Sequence, residues 1–294
     1  MPQLARSYLY VPGDQPAKLA RALDRGADAL IVDLEDAVAP AGKEAARTAV
    51  AQWLSGLASA SSSRVWVRIN PGAWGHADAA AVVPHSPAGL VVAKTESVRE
   101  LETLDAVLLR AEESAGVEAG RTALVPLLES AVAVLDAAVI ATAPRVVRLQ
   151  LGEADLRADL GVIPGPDESE LTHVRSQVVL VSAARGLHPP VASTSVVVHD
   201  EDGLRKSTRA LARLGFVGRT CIHPAQVPVV NEVFTPGADA VAAARALLER
   251  FDRSVQSGAG VLIDSSGSLV DEAVVRQARR LLTLARADEQ NEQY

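Results

Sequence analysis

The stretch YLYVPGDQPAKLARALDRGADALIVDLEDAVAP, residues 8–40, decides the fold. An apolar run from Ser7 to Val11 reads as a strand. Pro16 to Arg25 then carries Leu19, Ala20 and Leu23 at helical spacing, and Gly26 is a C-terminal stop. Ala29 to Val32 is apolar without interruption, a second strand. Strand, helix and strand in so short a span make a βα unit of a parallel sheet, whose strands are covered on both faces and therefore lack polar alternation.

The same exchange continues along the chain. LVVAK (90–94) and TALVPLLE (122–129) have the character of doubly covered strands, and further candidates are Val65 to Ile69, Val146 to Leu151, Pro190 to Ser193 and Gly218 to Ile222. Eight strands with intervening helices predict an α/β chain, a TIM (β/α)8 barrel in both count and length. An open doubly wound sheet is the competing arrangement.

The barrel is expected over residues 1–235. Pro236 and Gly237 mark a boundary, and residues 236–294 form a C-terminal extension: a helix from about Asp239, a glycine- and serine-rich loop, and a last helix to about Ala287.

Composition narrows the function. The chain has 294 residues with 48% hydrophobic content, enough for a sizeable core. A net charge of -7 and only 3% aromatic residues argue against nucleic acid as a partner. The single cysteine, Cys221, excludes an internal disulfide framework, and no signal-like or membrane-spanning segment is visible, so a cytoplasmic protein is expected. No GxSxG, Walker, GxGxxG or HExxH motif occurs.

In a barrel the reactive face lies at the C-terminal ends of the strands. Glu35 and Asp36 stand there beside Asp33, followed by Arg68 and Asn70, Lys94, Glu129, Glu153 and Asp155, and His223. Converging carboxylates repel each other unless a cation compensates them, and oxygen ligands without a His or Cys cluster suit Mg2+. Glu129 and Asp155 each follow an apolar strand and are the preferred metal ligands; as helix caps they would need no metal. Glu35 and Asp36 are equally explained by pairing with Lys43 or Arg47. Lys94 reads either as a Schiff-base amine or as the partner of Glu96 or Glu129. Position alone leaves these alternatives open.

Five motifs in order, RSYLYVPGDQPAKLARALDRGADALIVDLEDAVAPAGKEAAR, VWVRIN, LVPLLESA, LQLGEADLRADLG and LGFVGRTCIHPAQVPVVNEVFTP, resemble the citrate lyase beta-subunit-like (CitE-like) branch of the HpcH/HpaI aldolase family, from about Arg6 to Arg280. The resemblance implies a barrel of the phosphoenolpyruvate/pyruvate-binding superfamily, a homotrimer, with Mg2+ as cofactor. Its partners would be an acyl-CoA thioester and a small oxo acid such as pyruvate, glyoxylate or oxaloacetate. It also implies that Glu129 and Asp155 hold the metal, that Arg68 stabilises an enolate, and that Glu35 and Asp36 shape the site from behind the ligands. Asp271, in GSLVDEA of a C-terminal lid, would be the acid/base. Lys94, Asn70 and Tyr10 are the expected contacts for substrate or coenzyme A. The implied activity is carbon–carbon lysis of a malyl-CoA or citramalyl-CoA type substrate; action on a citryl carrier protein within a complex, condensation and thioester hydrolysis are the alternatives. Tyr10 stands where phenylalanine is frequent in the family, Val270 where isoleucine is, and Arg219 where lysine is, a change expected to touch thioester contacts.

Overall fold

The computed structural model describes residues 4–256, 261–263 and 269–291. Seven parallel strands, β1 (Ser7–Pro12), β2 (Ala29–Asp33), β3 (Val65–Ile69), β4 (Gly89–Val92), β5 (Ala123–Leu128), β6 (Gln150–Leu151) and β7 (Arg219–Cys221), lie in the order β6-β5-β4-β3-β2-β1-β7. Residues 191–192 complete the circle. Gln150 bridges Val191, and Ala192 bridges Arg219, both in parallel sense. The Val191 N–H donates to Leu149 O at 3.0 Å, and the Thr220 N–H to Ala192 O at 3.0 Å. The sheet is thus closed into the expected (β/α)8 barrel, and the open-sheet alternative is set aside.

The closing segment is narrower than the predicted strand Pro190 to Ser193 for a local reason. Pro189 and Pro190 lack the N–H that a ladder needs. The buried Arg148 guanidinium instead donates to Pro189 O and Val217 O, and its Nη1 donates to the Tyr8 hydroxyl at 2.6 Å.

Strand parity divides the core. Tyr8, Ala29, Ile31, Trp66, Val91, Ala123, Val125, Leu127 and Val191 fill the barrel interior. Their neighbours Leu9, Leu30, Val32, Val67, Leu90, Leu124 and Leu128 point outward against the helices. Helix Val98–Ala115 shows how those helices are fixed: Leu101, Leu104 and Leu108 are buried, the Ser97 hydroxyl accepts from the Glu100 N–H, and Gly116 at φ 67° ends the helix. Truncating one such leucine to alanine costs about 2–5 kcal/mol.

After the barrel, helices Ala238–Gln256 and Glu272–Asn291 flank a short antiparallel pair, Leu262–Ile263 with Leu269–Val270. Phe251, Val270 and Val275 form a small core there, separate from the barrel clusters. The loop expected between the helices lies partly outside the described residues. Among the described residues no helix is long and apolar enough to cross a membrane.

Candidate active site

The inward parity that buries Ala29 and Ile31 carries Asp33 inward at the end of β2, and the β2–β3 register sets it beside Arg68. The pair is bidentate: Arg68 Nε donates to Asp33 Oδ1 at 2.7 Å and Nη2 to Oδ2 at 2.6 Å. The other Asp33 duties are local, since its two oxygens accept from the Glu35 and Ala37 N–H groups and so shape the loop after β2. Gly13 lies against this loop so closely that a Cβ there would stand 2.9 Å from Asp33 O.

Beneath the same loop, Lys43 Nζ donates to Leu34 O, Glu35 O and Asn70 Oδ1, while Asn70 Nδ2 donates to Leu34 O and Asp78 Oδ2. Asn70 therefore holds loop backbone and is not among the residues lining the cavity above. The substrate contact expected of it is replaced by a positioning one.

That cavity, of about 740 Å³, opens at the C-terminal ends of the strands. Its walls include Tyr10, Asp33, Asp36, Arg68, Glu129, Gln150, Gly152, Glu153 and Asp155, so strands distant in sequence deliver their end residues to one place. Glu129 is only 6% exposed. Its Oε2 accepts from the Lys94 N–H at 2.9 Å, and Gly152 leaves room for its carboxyl: a Cβ there would lie 2.4 Å from Glu129 Cγ. Burial pushes the Glu129 carboxyl up to about 7, with the negative charges of Asp155 and Glu35 adding to the effect and the Lys94 N–H and Arg68 opposing it. Asp155 is exposed in the first turn of helix Glu153–Leu160. Glu153 is buried beside it and gripped by Arg175 through two 2.7 Å hydrogen bonds.

Lys94 reaches Glu35 Oε1 at 2.5 Å and Asp36 Oδ1 at 3.1 Å. The Glu35 hydrogen bond outweighs partial burial and holds the ammonium well above the ordinary lysine range. A lysine kept so firmly protonated is the opposite of a Schiff-base nucleophile. Glu35 itself is raised by burial, with Lys94 opposing.

Tyr10 lies under Arg68, whose guanidinium carbon is 5.0 Å from the ring centroid, and its hydroxyl accepts from Gln150 Nε2 at 3.2 Å. Burial raises the phenol to about 12, so it stands in the cavity as a neutral hydroxyl. Lys18 and Arg25 line the cavity as well and supply exposed positive charge.

Other expected groups fall elsewhere. Arg219 is buried in the barrel wall, donating to Ser193 O, the Ser207 hydroxyl and the Thr208 hydroxyl, and does not line the cavity. The effect on thioester contacts expected of it is replaced by a structural tie. His223 lines the cavity, but its Nδ1 accepts from the Ala225 N–H and caps the turn Pro224–Gln226. Asp271 caps helix Glu272–Asn291, accepting from the Ala273 and Val274 N–H groups at 2.9 and 3.1 Å, and does not line the cavity. Sequence reasoning placed Asp33 on the rim without its partner Arg68, and passed over Gln150 and Gly152 as site residues. Asp33 was visible as the first charge after the apolar run ALIV; Gly152 had no local signal, because its role is to make room for a side chain from another strand.

Residues 6–224 match the HpcH/HpaI aldolase/citrate lyase family. The chain belongs to that family. It is 32% identical over 292 residues to the citrate lyase subunit beta of Leuconostoc mesenteroides subsp. cremoris, covering 97% of this chain and 95% of that protein. It is 31% identical over 284 residues to a (3S)-malyl-CoA thioesterase of Cereibacter sphaeroides, covering 96% and 95%. Among solved structures, protein CitE from Mycobacterium tuberculosis in complex with magnesium, acetoacetate and coenzyme A superposes with a TM-score of 0.77 at 30% identity, covering 97% of this chain and 99% of that one. The family assignment agrees with the closed barrel and with the carboxylates gathered at the C-terminal ends of its strands.

Proposed function

We propose that this family member is a Mg2+-dependent carbon–carbon lyase. It cleaves, and in reverse forms, a 3-hydroxyacyl-CoA thioester of malyl-CoA or citramalyl-CoA type through an enolate. The observation that carries the reading is the desolvated Glu129 carboxyl, facing the same cavity as Asp155 and the Arg68 guanidinium.

The residues present fit Mg2+. Glu129 is buried in a cradle that a Cβ at Gly152 would fill, all the donors are oxygens, and the cations Arg68 and Lys94 are already committed to Asp33, Glu35 and Asp36. Among the described residues no group of three or more His, Cys, Asp or Glu side chains forms a metal cage. Two carboxylates with open positions for substrate and water is the arrangement Mg2+ prefers. Bound by Glu129 and Asp155, the ion would polarise the oxygens of the oxo-acid half.

The remaining chemistry belongs to the chain. Arg68, held rigid by Asp33 and by the Tyr10 ring, stabilises the negative oxygen as the thioester becomes an enolate. Tyr10 presents a hydroxyl that stays neutral at physiological pH. Lys18 and Arg25 at the cavity wall suit the phosphates of coenzyme A. Asp271 delivers or removes the proton at the enolate carbon once the C-terminal extension closes over a cavity mouth, its own or that of a neighbouring subunit. A cytoplasmic homotrimer is part of this proposal.

A second reading, a subunit acting on a citryl thioester of an acyl carrier protein, is favoured by the likeness to a citrate lyase subunit beta. One experiment separates them. Purified protein with Mg2+ is incubated with hydroxyacyl-CoA thioesters and with citryl carrier protein, and products are identified by mass, with metal omission as control. Cleavage of a CoA thioester to an acyl-CoA and an oxo acid is the expected result. Turnover of the carrier-protein thioester alone supports the second reading, free CoA without carbon–carbon cleavage indicates a thioesterase, and turnover without metal sinks the proposal.

A further inference from the structure

Lys94 joins two carboxylate groups of the site. Its backbone is left-handed at φ 52°, a conformation that a side chain with a Cβ disfavours. The turn points its N–H at Glu129 and sends its side chain the other way, to Glu35 and Asp36. The ammonium nitrogen thus sits between carboxylate oxygens of two successive residues, where a divalent cation bridging them would sit.

We propose that Lys94 is a built-in counter-cation, a positioning residue that occupies the Glu35 and Asp36 carboxylates and so confines divalent metal to Glu129 and Asp155. The inference rests on the assignment of those two acids as the ligands.

Among the described residues no other cation nearby does this work. Arg68 is committed to Asp33 by both arms of its fork and makes only a 3.4 Å contact with Glu35. Lys43 is engaged under the loop by two backbone carbonyls and Asn70. Without the Lys94 ammonium, Glu35, only 3% exposed, would keep only its 3.4 Å contact with Arg68 as compensation, and its neighbour Asp36 in the cavity wall would lose its ion pair. Freed of the ammonium, their oxygens would compete with Glu129 and Asp155 for a hard divalent ion. An ion held there would be displaced from Glu129, and the substrate with it.

The test is Mn2+ uptake by the metal-free full chain, read by equilibrium dialysis with electron paramagnetic resonance, for wild type, Lys94→Met, Lys94→Gly, Lys94→Arg and Glu129→Gln. Glycine accepts the left-handed backbone, so an effect shared by the Met and Gly variants reports the lost charge and not a shifted chain. At a free Mn2+ concentration that half-fills wild type, both are expected to bind roughly twice as much, because a repelling charge has gone and a carboxylate pair has been freed. Lys94→Arg is expected to match wild type, and Glu129→Gln to bind little. Uptake by Lys94→Met and Lys94→Gly no higher than wild type, with Glu129→Gln binding little, overturns the role of Lys94 and leaves the ligand assignment standing. Undiminished uptake by Glu129→Gln overturns the ligand assignment itself.

Discussion

Glu129→Gln should stabilise the metal-free protein above neutral pH while abolishing its use of metal. In the fold the carboxyl is pushed from 4.5 to about 7 by burial. A folded-state value above the unfolded one means that the native chain holds the extra proton between these two pH values. The stability linked to that proton is complete below about 4.5 and is lost as pH rises through about 7. Such a change corresponds to about 3 kcal/mol. Glutamine keeps an oxygen for the Lys94 N–H and carries no charge at any pH, so this component of the pH dependence should vanish. The assay is urea denaturation in chelator at steps from pH 4.5 to pH 8, wild type against variant. The variant should gain about 2–3 kcal/mol relative to wild type across that range, and Mg2+ at pH 8 should stabilise wild type alone. A constant difference between the two proteins over the whole range would refute the claim that Glu129 is held in a desolvated, uncompensated state.

Arg68→Lys should lower turnover of the thioester by about 10²–10³, since a point charge reproduces neither the fork on Asp33 nor the stacking on Tyr10; steady-state kinetics with melting as a folding control decide it. Gly152→Ala drives a methyl to 2.4 Å from Glu129 Cγ and should weaken Mg2+ affinity by about tenfold or more in calorimetry, with far-ultraviolet dichroism unchanged. Asp271→Asn keeps a capping oxygen for the Ala273 and Val274 N–H groups, so it should abolish lyase turnover with metal binding intact; Asp271→Ala should add a loss of about 1 kcal/mol in stability. Full turnover by the Asn variant would remove Asp271 from the chemistry.

Much of the barrel was legible because its strands are covered on both faces. ALIVD in β2 and LVPLL within β5 advertise themselves as continuous apolar runs, and Gly116 ends its helix through a left-handed turn that is a local property of the chain; the helix expected over Pro16 to Arg25 is instead a short helix Pro16–Leu19 and a 3-10 turn Leu23–Arg25 that Gly26 ends. The segments read less well were Val146 to Leu151 and Pro190 to Ser193. There the ladder is interrupted by prolines and by Arg148, whose carbonyl partners lie up to 69 residues away.

The acids of the rim were equally legible, but their duties were not. Lys94 lies 59 residues from Glu35 in the chain, so its choice of Glu35 and Asp36 over Glu96 follows from the left-handed turn after β4 and leaves no trace in composition. Asn70 follows β3 at the C-terminal end, as site residues do, and Arg219 opens β7, yet each donates to backbone carbonyls and side chains of the surrounding wall.

The amino-acid order alone thus determined most of the strand and helix succession and the family, because apolar runs, turn residues and motifs are short-range properties. Only the closed ring decided that Arg68 clasps Asp33 and that Glu129 is desolvated against Gly152. Those outcomes depend on which residues from remote strands meet where water is excluded, and burial and charge pairing act through space and not along the chain.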